Sequence, residues 1–144
     1  MSPLHASCVE WDGAGLLICG RSGSGKSDLA LRLIDAGAEL VADDRVFLEK
    51  EGEKLKARTP DKIRGLIEVR GLGIVPMPFR PETHIKLKIA LCPSHEIDRM
   101  PDPMSEVIEG IEIPLLFLDP SAASAVAKIK VALSVCTGER VIVQ

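Results

Sequence analysis

The chain has 144 residues, of which 46% are hydrophobic and 27% charged, an ordinary balance for one globular domain. This composition excludes a disordered tail, a collagen-like repeat and a disulfide-dense mini-protein. The 18 basic residues stand against 21 acidic ones, which gives a formal net charge of −3, and aromatic side chains make up only 3%. Both features argue against nucleic-acid binding, which depends on basic patches and stacking aromatics.

The apolar segments are too short for a membrane protein. The longest uncharged apolar run, residues 113–118, is far below the roughly 20 residues that a membrane-spanning helix needs. The first residues lack a basic stretch followed by an apolar one, so no secretory signal is predicted. The cysteines at 8, 19, 92 and 136 are scattered, and we expect reduced thiols. These features favour a cytoplasmic protein that does not contact a membrane.

Hydrophobic periodicity predicts a strand-rich, mixed α/β fold. A strand at 16–19 is followed by a glycine-rich loop and a helix at 26–36, on which Leu29, Ala30, Leu33 and Ile34 share one face. Gly37 fits the C-terminal cap of that helix. An alanine-rich second helix is predicted at 121–135. We expect roughly seven to nine strands in all, the others lying at 5–11, 40–42, 46–48, 54–57, 66–69, 85–91 and 111–118.

Two proline-rich stretches, residues 76–81 and 93–103, are predicted to be loops. Long loops in a compact domain are often functional, but tolerated surface insertions have the same composition, and the pattern leaves both interpretations open.

The strand content is high for a doubly wound fold, in which strands and helices alternate.

The strongest functional signal is the phosphate-binding loop G-x-x-x-x-G-K-[ST], which appears here as Gly20, Arg21, Ser22, Gly23, Ser24, Gly25, Lys26 and Ser27. Glycines let successive backbone N–H groups point into one concavity, and the start of the following helix adds its positive end. In such a loop the lysine reaches the β- and γ-phosphates and the serine hydroxyl binds Mg²⁺. The sequence therefore predicts a site for ATP and Mg²⁺.

Phosphoryl transfer also needs a carboxylate near the metal, usually at the end of an apolar strand. Asp43 and Asp44 follow the strand predicted at 40–42, and adjacent carboxylates repel each other unless a cation or a proton is near. Because neighbouring strand residues point to opposite faces, we expect only one of the two to face the phosphates. Asp119 is the alternative, but Pro120 follows it, and we favour Asp119 as the N-cap of the second helix.

Four segments together resemble a known family. They are residues 5–7 (His-Ala-Ser), 20–27, 40–44 (Leu-Val-Ala-Asp-Asp) and 68–74 (Glu-Val-Arg-Gly-Leu-Gly-Ile), and their order and spacing are similar to those of bacterial HPr kinase/phosphorylase. The resemblance runs from about residue 5 to residue 135 and corresponds to the family's C-terminal catalytic domain. We therefore expect residues 1–144 to form one such domain.

The resemblance implies a function and a fold. The implied function is that of an ATP- and Mg²⁺-dependent protein serine kinase, which phosphorylates the HPr phosphocarrier protein of the sugar phosphotransferase system and so regulates carbon metabolism. The implied fold is a β-rich, sandwich-like core around the P-loop, similar to phosphoenolpyruvate carboxykinase, with a P-loop helix and a C-terminal helix. Family members assemble as hexamers, so a homo-oligomer is expected.

The resemblance also implies roles for individual residues. His5, on the strand before the P-loop, matches the family's active-site histidine. The aspartate pair matches its acid/base, which accepts the proton of the target serine, and we favour Asp44 for this role with Asp43 as its partner. Arg70 contributes a positive charge beside the site.

The implied ligands of the nucleotide and the metal are three further residues. Lys26 matches the phosphate-binding lysine, and Ser27 and Glu68 match the Mg²⁺ ligands. Taken alone, His5, Glu68 and Arg70 would also fit ordinary surface positions.

One loop departs from the family. Family members carry a basic loop after the last core strand, which serves the reverse reaction, phosphorolysis of phosphoserine-HPr, whereas residues 118–123 hold no basic residue here. We expect this reverse activity to be weak or absent, with Arg80 and Arg99 as candidates to replace the charge. Two other functions share the P-loop. A small-molecule kinase usually has an arginine-rich lid, and a non-catalytic nucleotide sensor would not need the carboxylates at 43, 44 and 68.

Overall fold

The computed structural model describes residues 2–143 of the chain. This part contains ten strands and two α-helices. In chain order they are β1 (Ser7–Trp11), β2 (Ala14–Cys19), α1 (Lys26–Asp35), β3 (Glu39–Ala42), β4 (Phe47–Glu51), β5 (Lys54–Arg58), β6 (Leu66–Val69), β7 (Gly73–Pro76), β8 (Glu82–Leu91), β9 (Met104–Ile108), β10 (Ile111–Leu118) and α2 (Ala125–Cys136). Single 3-10 turns lie at Asp61–Ile63 and Ser94–Glu96.

The main sheet has eight strands and a mixed direction. Its order is β3-β1-β2-β8-β10-β9, with the β4–β5 hairpin joined through β5 to β8, while β6 and β7 form a separate hairpin. β8 is parallel to β2 and to β10, and β1 is antiparallel to both β2 and β3. The C-terminal ends of β3, β2, β8 and β10 therefore meet at one edge of the sheet, where α/β proteins commonly bind ligands.

Buried side chains fill both faces of this sheet because side chains alternate along each strand. On β2, Leu16 and Ile18 belong to a cluster that includes Leu29 of α1 and Ile129 of α2. Leu17, between them, belongs to a second cluster with side chains of the β4–β5 hairpin. The sheet is thus covered by helices on one face and by a hairpin on the other, which is a sandwich-like arrangement.

The structure confirms the strand-rich α/β class and both predicted helices, but it has two strands that the sequence pattern did not predict. β7 begins with a glycine and ends with a proline, both of which are depleted in strands. β9 is an edge strand whose first four residues are all exposed, so it lacks the alternation that marks a half-buried strand. Gly37 has φ +115 directly after the C-cap of α1, as expected for a capping glycine.

The expected N-cap role of Asp119 is wrong. α2 begins at Ala125, well after Pro120. One carboxylate oxygen of Asp119 accepts hydrogen bonds from the N–H and hydroxyl of Ser121 (2.9 and 2.6 Å), and the other accepts from the N–H and hydroxyl of Ser94 (3.0 and 2.6 Å). These bonds, led by that from the Ser121 hydroxyl, hold the pKa of Asp119 well below its usual range. Asp119 therefore ties together the loops that follow β8 and β10.

In the part of the chain that the structure describes, no helix is both long enough and apolar enough to cross a membrane. The four cysteines are free thiols, and Cys8 is buried in the second cluster. Burial raises the pKa of the Cys8 thiol.

We expect Leu29→Ala to lower the free energy of unfolding by about 2–5 kcal/mol, because the substitution leaves a cavity between α1 and the sheet. Leu29 is 0% exposed. The matched control is Leu72→Ala on a side chain that is 80% exposed, where a change within about 0.5 kcal/mol is expected. Urea denaturation measures both values, and equal losses would contradict the assigned core.

Candidate active site

The loop between β2 and α1 is shaped by two glycines in the left-handed region. Gly23 has φ +77 and Gly25 has φ +101, conformations that other residues adopt only with strain. The N–H of Ser24 donates to the carbonyl of Arg21 (3.0 Å), which closes a tight turn. Among residues 2–143 no side chain caps the N-terminus of α1. The first backbone N–H groups of the helix are therefore available to an anion.

The Lys26 side chain is held over this loop. Its ammonium group donates to the carbonyl oxygens of Gly20 and Arg21, both at 3.0 Å, and the residue is 9% exposed. Backbone carbonyls are weaker partners for an ammonium group than a phosphate is, because charged acceptors form stronger hydrogen bonds. The uncapped amides and this lysine together fit a polyphosphate.

Asp43 joins three elements of the fold. One of its carboxylate oxygens accepts hydrogen bonds from the hydroxyls of Ser7 on β1 (3.0 Å) and Ser27 on α1 (2.7 Å). The other accepts from the backbone N–H of Glu68 on β6 (2.9 Å). The residue is only 7% exposed, so these bonds form away from bulk water. Asp43 thereby fixes Ser27 against the end of β3.

Asp44 lies next to Asp43 but points elsewhere. Its φ of +67 is left-handed, and its N–H donates to the Ser7 hydroxyl at 3.3 Å. The Asp44 side chain is 62% exposed, and one carboxylate oxygen lies 3.7 Å from Nδ1 of His5, whose side chain is 72% exposed. His5 lies two residues before β1 begins, so its predicted position on the strand is wrong. The pairing of an exposed carboxylate with an imidazole suits proton transfer.

Glu68 and Arg70 reach the site from the β6–β7 hairpin. The backbone N–H of Glu68 is bound to Asp43, while its side chain is exposed. Arg70 follows directly after β6 and is also exposed. The hairpin is therefore anchored to the sheet through Asp43, and its two charged residues are exposed to solvent.

These residues surround a cavity of about 340 Å³, which we call the phosphate cavity; it is lined by Ser22, Gly23, Gly25, Lys26, Ser27, Asp28, Leu31, Asp44, Glu68, Val69 and Arg70. As expected, only one of the two adjacent aspartates lines it, but strand alternation is not the reason, because both follow the end of β3 and Asp44 has a left-handed backbone. Gly20, Arg21 and Ser24, which were predicted to bind the nucleotide, do not line this cavity, and His5 contacts it only through Asp44.

Ser7 and three lining residues of the phosphate cavity, Asp28, Leu31 and Val69, had no predicted role, and Ser7 matters most for the geometry. Its hydroxyl donates to Asp43 and accepts from the N–H of Asp44, so it connects the two aspartates. The signal available in the sequence was a small polar residue directly before the apolar pair Cys8 and Val9.

Neither arginine suggested as a replacement for the missing basic loop lines the phosphate cavity. Arg80 pairs with Glu10 and with Glu39, both at 3.0 Å. Glu39 is the first residue of β3, at the opposite end of that strand from Asp43. Arg80 is therefore held by ion pairs at the edge of the sheet opposite the phosphate cavity.

The oxygen groups of the phosphate cavity fit a hard divalent cation. Ser27 and Glu68 both line it, and hydroxyl and carboxylate oxygens are ligands that suit Mg²⁺. Asp43, which holds Ser27, would act from behind such a site.

We expect Asp43→Asn to lower the free energy of unfolding by about 1–3 kcal/mol, since an amide presents a donor where the carboxylate accepts. Asp44→Asn is the matched control, with an expected change within about 0.5 kcal/mol, because that side chain is largely exposed and asparagine tolerates a left-handed backbone. Both values are measured by urea denaturation. A larger loss for Asp44→Asn than for Asp43→Asn would contradict the assigned positions.

Comparison with known proteins supports the resemblance seen in the sequence. A sequence profile of the HPr serine kinase C-terminal domain matches residues 1–135. The HPr kinase/phosphorylase of Chloroherpeton thalassium is 38% identical over 126 residues, which cover 79% of this chain and 37% of that protein. That of Chlorobium chlorochromatii is 38% identical over 127 residues, covering 79% and 38%. The chain thus spans well under half the length of these curated relatives.

A solved structure shows the same fold over nearly the whole of both chains. It is the HPr(Ser) kinase/phosphatase of Coxiella burnetii, which superposes with a TM-score of 0.84 at 26% sequence identity and covers 96% of this chain and 98% of that one. This match confirms the predicted P-loop fold with its strand-rich core. On the sequence profile and the relatives together, the chain belongs to the HPr serine kinase C-terminal domain family.

Proposed function

We propose that this protein is an ATP- and Mg²⁺-dependent protein serine kinase whose substrate is an HPr-type phosphocarrier protein. The single observation that carries the proposal is the phosphate cavity. There an uncapped helix start and Lys26 lie beside two solvent-exposed acidic residues, Asp44 and Glu68. The names of the relatives, HPr kinase/phosphorylase, support HPr as the substrate class.

Binding of the triphosphate is assigned to the loop and to Lys26. The N–H groups at the start of α1 would meet the phosphate oxygens, and the Lys26 ammonium group would exchange its two carbonyl partners for them. Ser27 and Glu68 would hold the Mg²⁺, which neutralises charge that develops on the phosphoryl oxygens. Asp43 keeps the Ser27 hydroxyl in place through their 2.7 Å hydrogen bond.

Proton transfer is assigned to Asp44. A serine hydroxyl is a poor nucleophile until a base takes its proton, and Asp44 is the carboxylate of the pair that faces the cavity. The serine oxygen forms a bond to the γ-phosphorus, the bond to the β,γ-bridging oxygen breaks, and ADP leaves with that electron pair. The serine proton goes to the Asp44 carboxylate. His5, 3.7 Å from Asp44, would orient that carboxylate, and Arg70 would add positive charge beside the transferred group.

We expect Lys26→Ala to abolish ATP binding in calorimetry, or to weaken it by about 100-fold or more, because the substitution removes the ammonium group that is held over the P-loop. Lys130→Ala is the matched control, since Lys130 is an exposed residue of α2 and lines no part of the site. Unchanged ATP affinity in Lys26→Ala would remove the basis of the proposed function.

We expect Asp44→Asn to reduce phosphate transfer to HPr by about 10²–10⁴-fold while ATP affinity changes by no more than about twofold. The reason is that the amide cannot accept the serine proton but leaves the P-loop intact. The measurement is transfer of labelled phosphate from ATP to purified HPr, with a panel of small hydroxylated acceptors in parallel. Transfer to a small acceptor and none to HPr would overturn the substrate assignment, and full activity of Asp44→Asn would overturn the role of Asp44.

Several expectations from the sequence stay predictions. They are a single catalytic domain over residues 1–144, a hexameric assembly, a cytoplasmic location, and weak or absent phosphorolysis of phosphoserine-HPr. The last is supported by the acidic and neutral loop at residues 118–123 and by the ion pairs that occupy Arg80.

A further inference from the structure

The chain makes a very tight turn at Asp44, directly after β3. The N–H of Arg45 donates to the carbonyl of Asp43 at 2.8 Å, and this bond closes a three-residue γ-turn with Asp44 at its centre. Because Asp44 has a φ of +67, the turn has the rare and strained handedness. A strained turn persists only where its surroundings stabilise it. The contacts that stabilise this turn therefore determine where the Asp44 side chain lies.

The segment before β1 holds part of the turn through its backbone. Leu4 and Val46 exchange two backbone hydrogen bonds, of 2.8 and 3.0 Å. The N–H of Ala6 donates to the carbonyl of Asp44 at 3.2 Å. None of these bonds involves the N–H of Asp44, which lies at the centre of the turn, so that group needs a partner of another kind.

Ser7 is that partner, because the strand register brings it opposite the aspartates. Cys8 pairs with Ala42 in the antiparallel contact of β1 with β3, so Ser7 and Asp43, one step further along each chain, face each other. Ser7 is 0% exposed. Its hydroxyl donates to a carboxylate oxygen of Asp43 at 3.0 Å and accepts the N–H of Asp44 at 3.3 Å. A hydroxyl group has one donor and two acceptor lone pairs, so both bonds form together.

A buried serine can also serve stability alone, and Ser134 of α2 is an example in this chain. Its hydroxyl donates to the carbonyl of Val131 at 2.6 Å, which is a local bond within the helix, and the residue is 7% exposed. Ser7 differs because both of its bonds end on the aspartate pair, and one of them ends on the backbone of the strained turn. This arrangement is that of a residue that acts through Asp44.

We propose that Ser7 is a positioning residue for phosphoryl transfer, which stabilises the turn at Asp44 and so keeps Asp44 at the wall of the phosphate cavity. This inference rests on the proposed function, because it concerns how Asp44 is placed to accept the proton of the target serine. Ser7 does not line the phosphate cavity, so it acts on the reaction through the aspartates. Removal of its hydroxyl leaves the N–H of Asp44 unpaired and the turn less constrained.

Transfer of labelled phosphate from ATP to purified HPr, measured at steady state, tests the proposal. We expect Ser7→Ala to lower kcat by about 10–100-fold, because a small displacement of a catalytic group has effects of this size. Affinity for Mg-ATP in calorimetry should stay within about twofold, since Ser27 keeps its hydrogen bond to Asp43. Ser134→Ala is the matched control. It also removes a buried hydroxyl, but Ser134 does not line the phosphate cavity, and kcat should stay within about twofold.

Further variants separate a positioning role from a purely structural one. Ser7→Thr keeps the hydroxyl and suits a strand, so we expect its kcat to lie within about threefold of that of the unmodified protein. In an Asp44→Asn background, Ser7→Ala should lower the residual transfer by less than about threefold, because residues that act through one another are not additive. Ser7→Cys, which has only a weak donor, replaces Ser7→Ala if that variant does not fold, and should lower kcat by about threefold or more.

Hydrogen exchange of the Asp44 amide, followed by NMR without nucleotide, tests the turn itself. We expect this exchange to be about tenfold faster or more in Ser7→Ala, because the amide loses its hydrogen-bond acceptor. In Ser7→Thr and Ser134→Ala it should stay within about threefold of the rate in the unmodified protein.

An unchanged kcat in Ser7→Ala would overturn the positioning role of Ser7. A loss of the same size in the Asp44→Asn background, or unchanged exchange of the Asp44 amide in Ser7→Ala, would overturn it as well. If the unmodified protein bound Mg-ATP but transferred no phosphate to HPr, the proposed function would fail by itself, and the exchange rates would still decide whether Ser7 stabilises the turn.

Discussion

The geometry of the site depends on the hydrogen bonds that the carboxylate of Asp43 accepts. It is almost fully buried and accepts hydrogen bonds from Ser7, Ser27 and the N–H of Glu68, which belong to three different elements. Hydrogen bonds to a charged acceptor contribute about 1.5–3 kcal/mol each, and a buried carboxylate without them would be strongly unfavourable. One side chain therefore fixes the start of α1, the end of β3 and the β6–β7 hairpin relative to one another.

The two adjacent aspartates have different tasks, one holding the fold together and the other presenting an exposed carboxylate to the cavity. Asp43 uses its oxygens on the protein itself, whereas Asp44 keeps its carboxylate exposed beside His5. The separation comes from the backbone, because the left-handed φ of Asp44 turns the chain directly after β3. Ser7 links the two, since its hydroxyl accepts from one aspartate's N–H and donates to the other's side chain. A displacement of either aspartate therefore also disturbs the hydrogen bond between Ser7 and the other.

The sheet order explains why the P-loop has two different sides. β3 brings acids to one side, where the proposed chemistry takes place, while the ends of β8 and β10 bring proline, leucine and cysteine side chains to the other. Asp119 connects neighbouring loops on the second side of the P-loop, as Asp43 connects strands and a helix on the first. Each aspartate accepts hydrogen bonds through both of its carboxylate oxygens. The two aspartates differ in exposure, and only Asp43 is buried among the strands.

The sequence by itself determined the P-loop, the strand-rich class and the two helices, because these follow from local signals: fixed glycine spacing, apolar periodicity and a capping glycine. It predicted that only one of Asp43 and Asp44 faces the phosphates but gave no physical reason for choosing between them, since their different surroundings depend on a backbone turn and on Ser7. It misassigned Asp119, because Asp-Pro before a helix has the same local pattern whether the aspartate caps the helix or ties two loops. Only the tertiary structure could decide these points, since Ser94 and Glu68 each lie 25 residues away in the chain from the aspartate they bind.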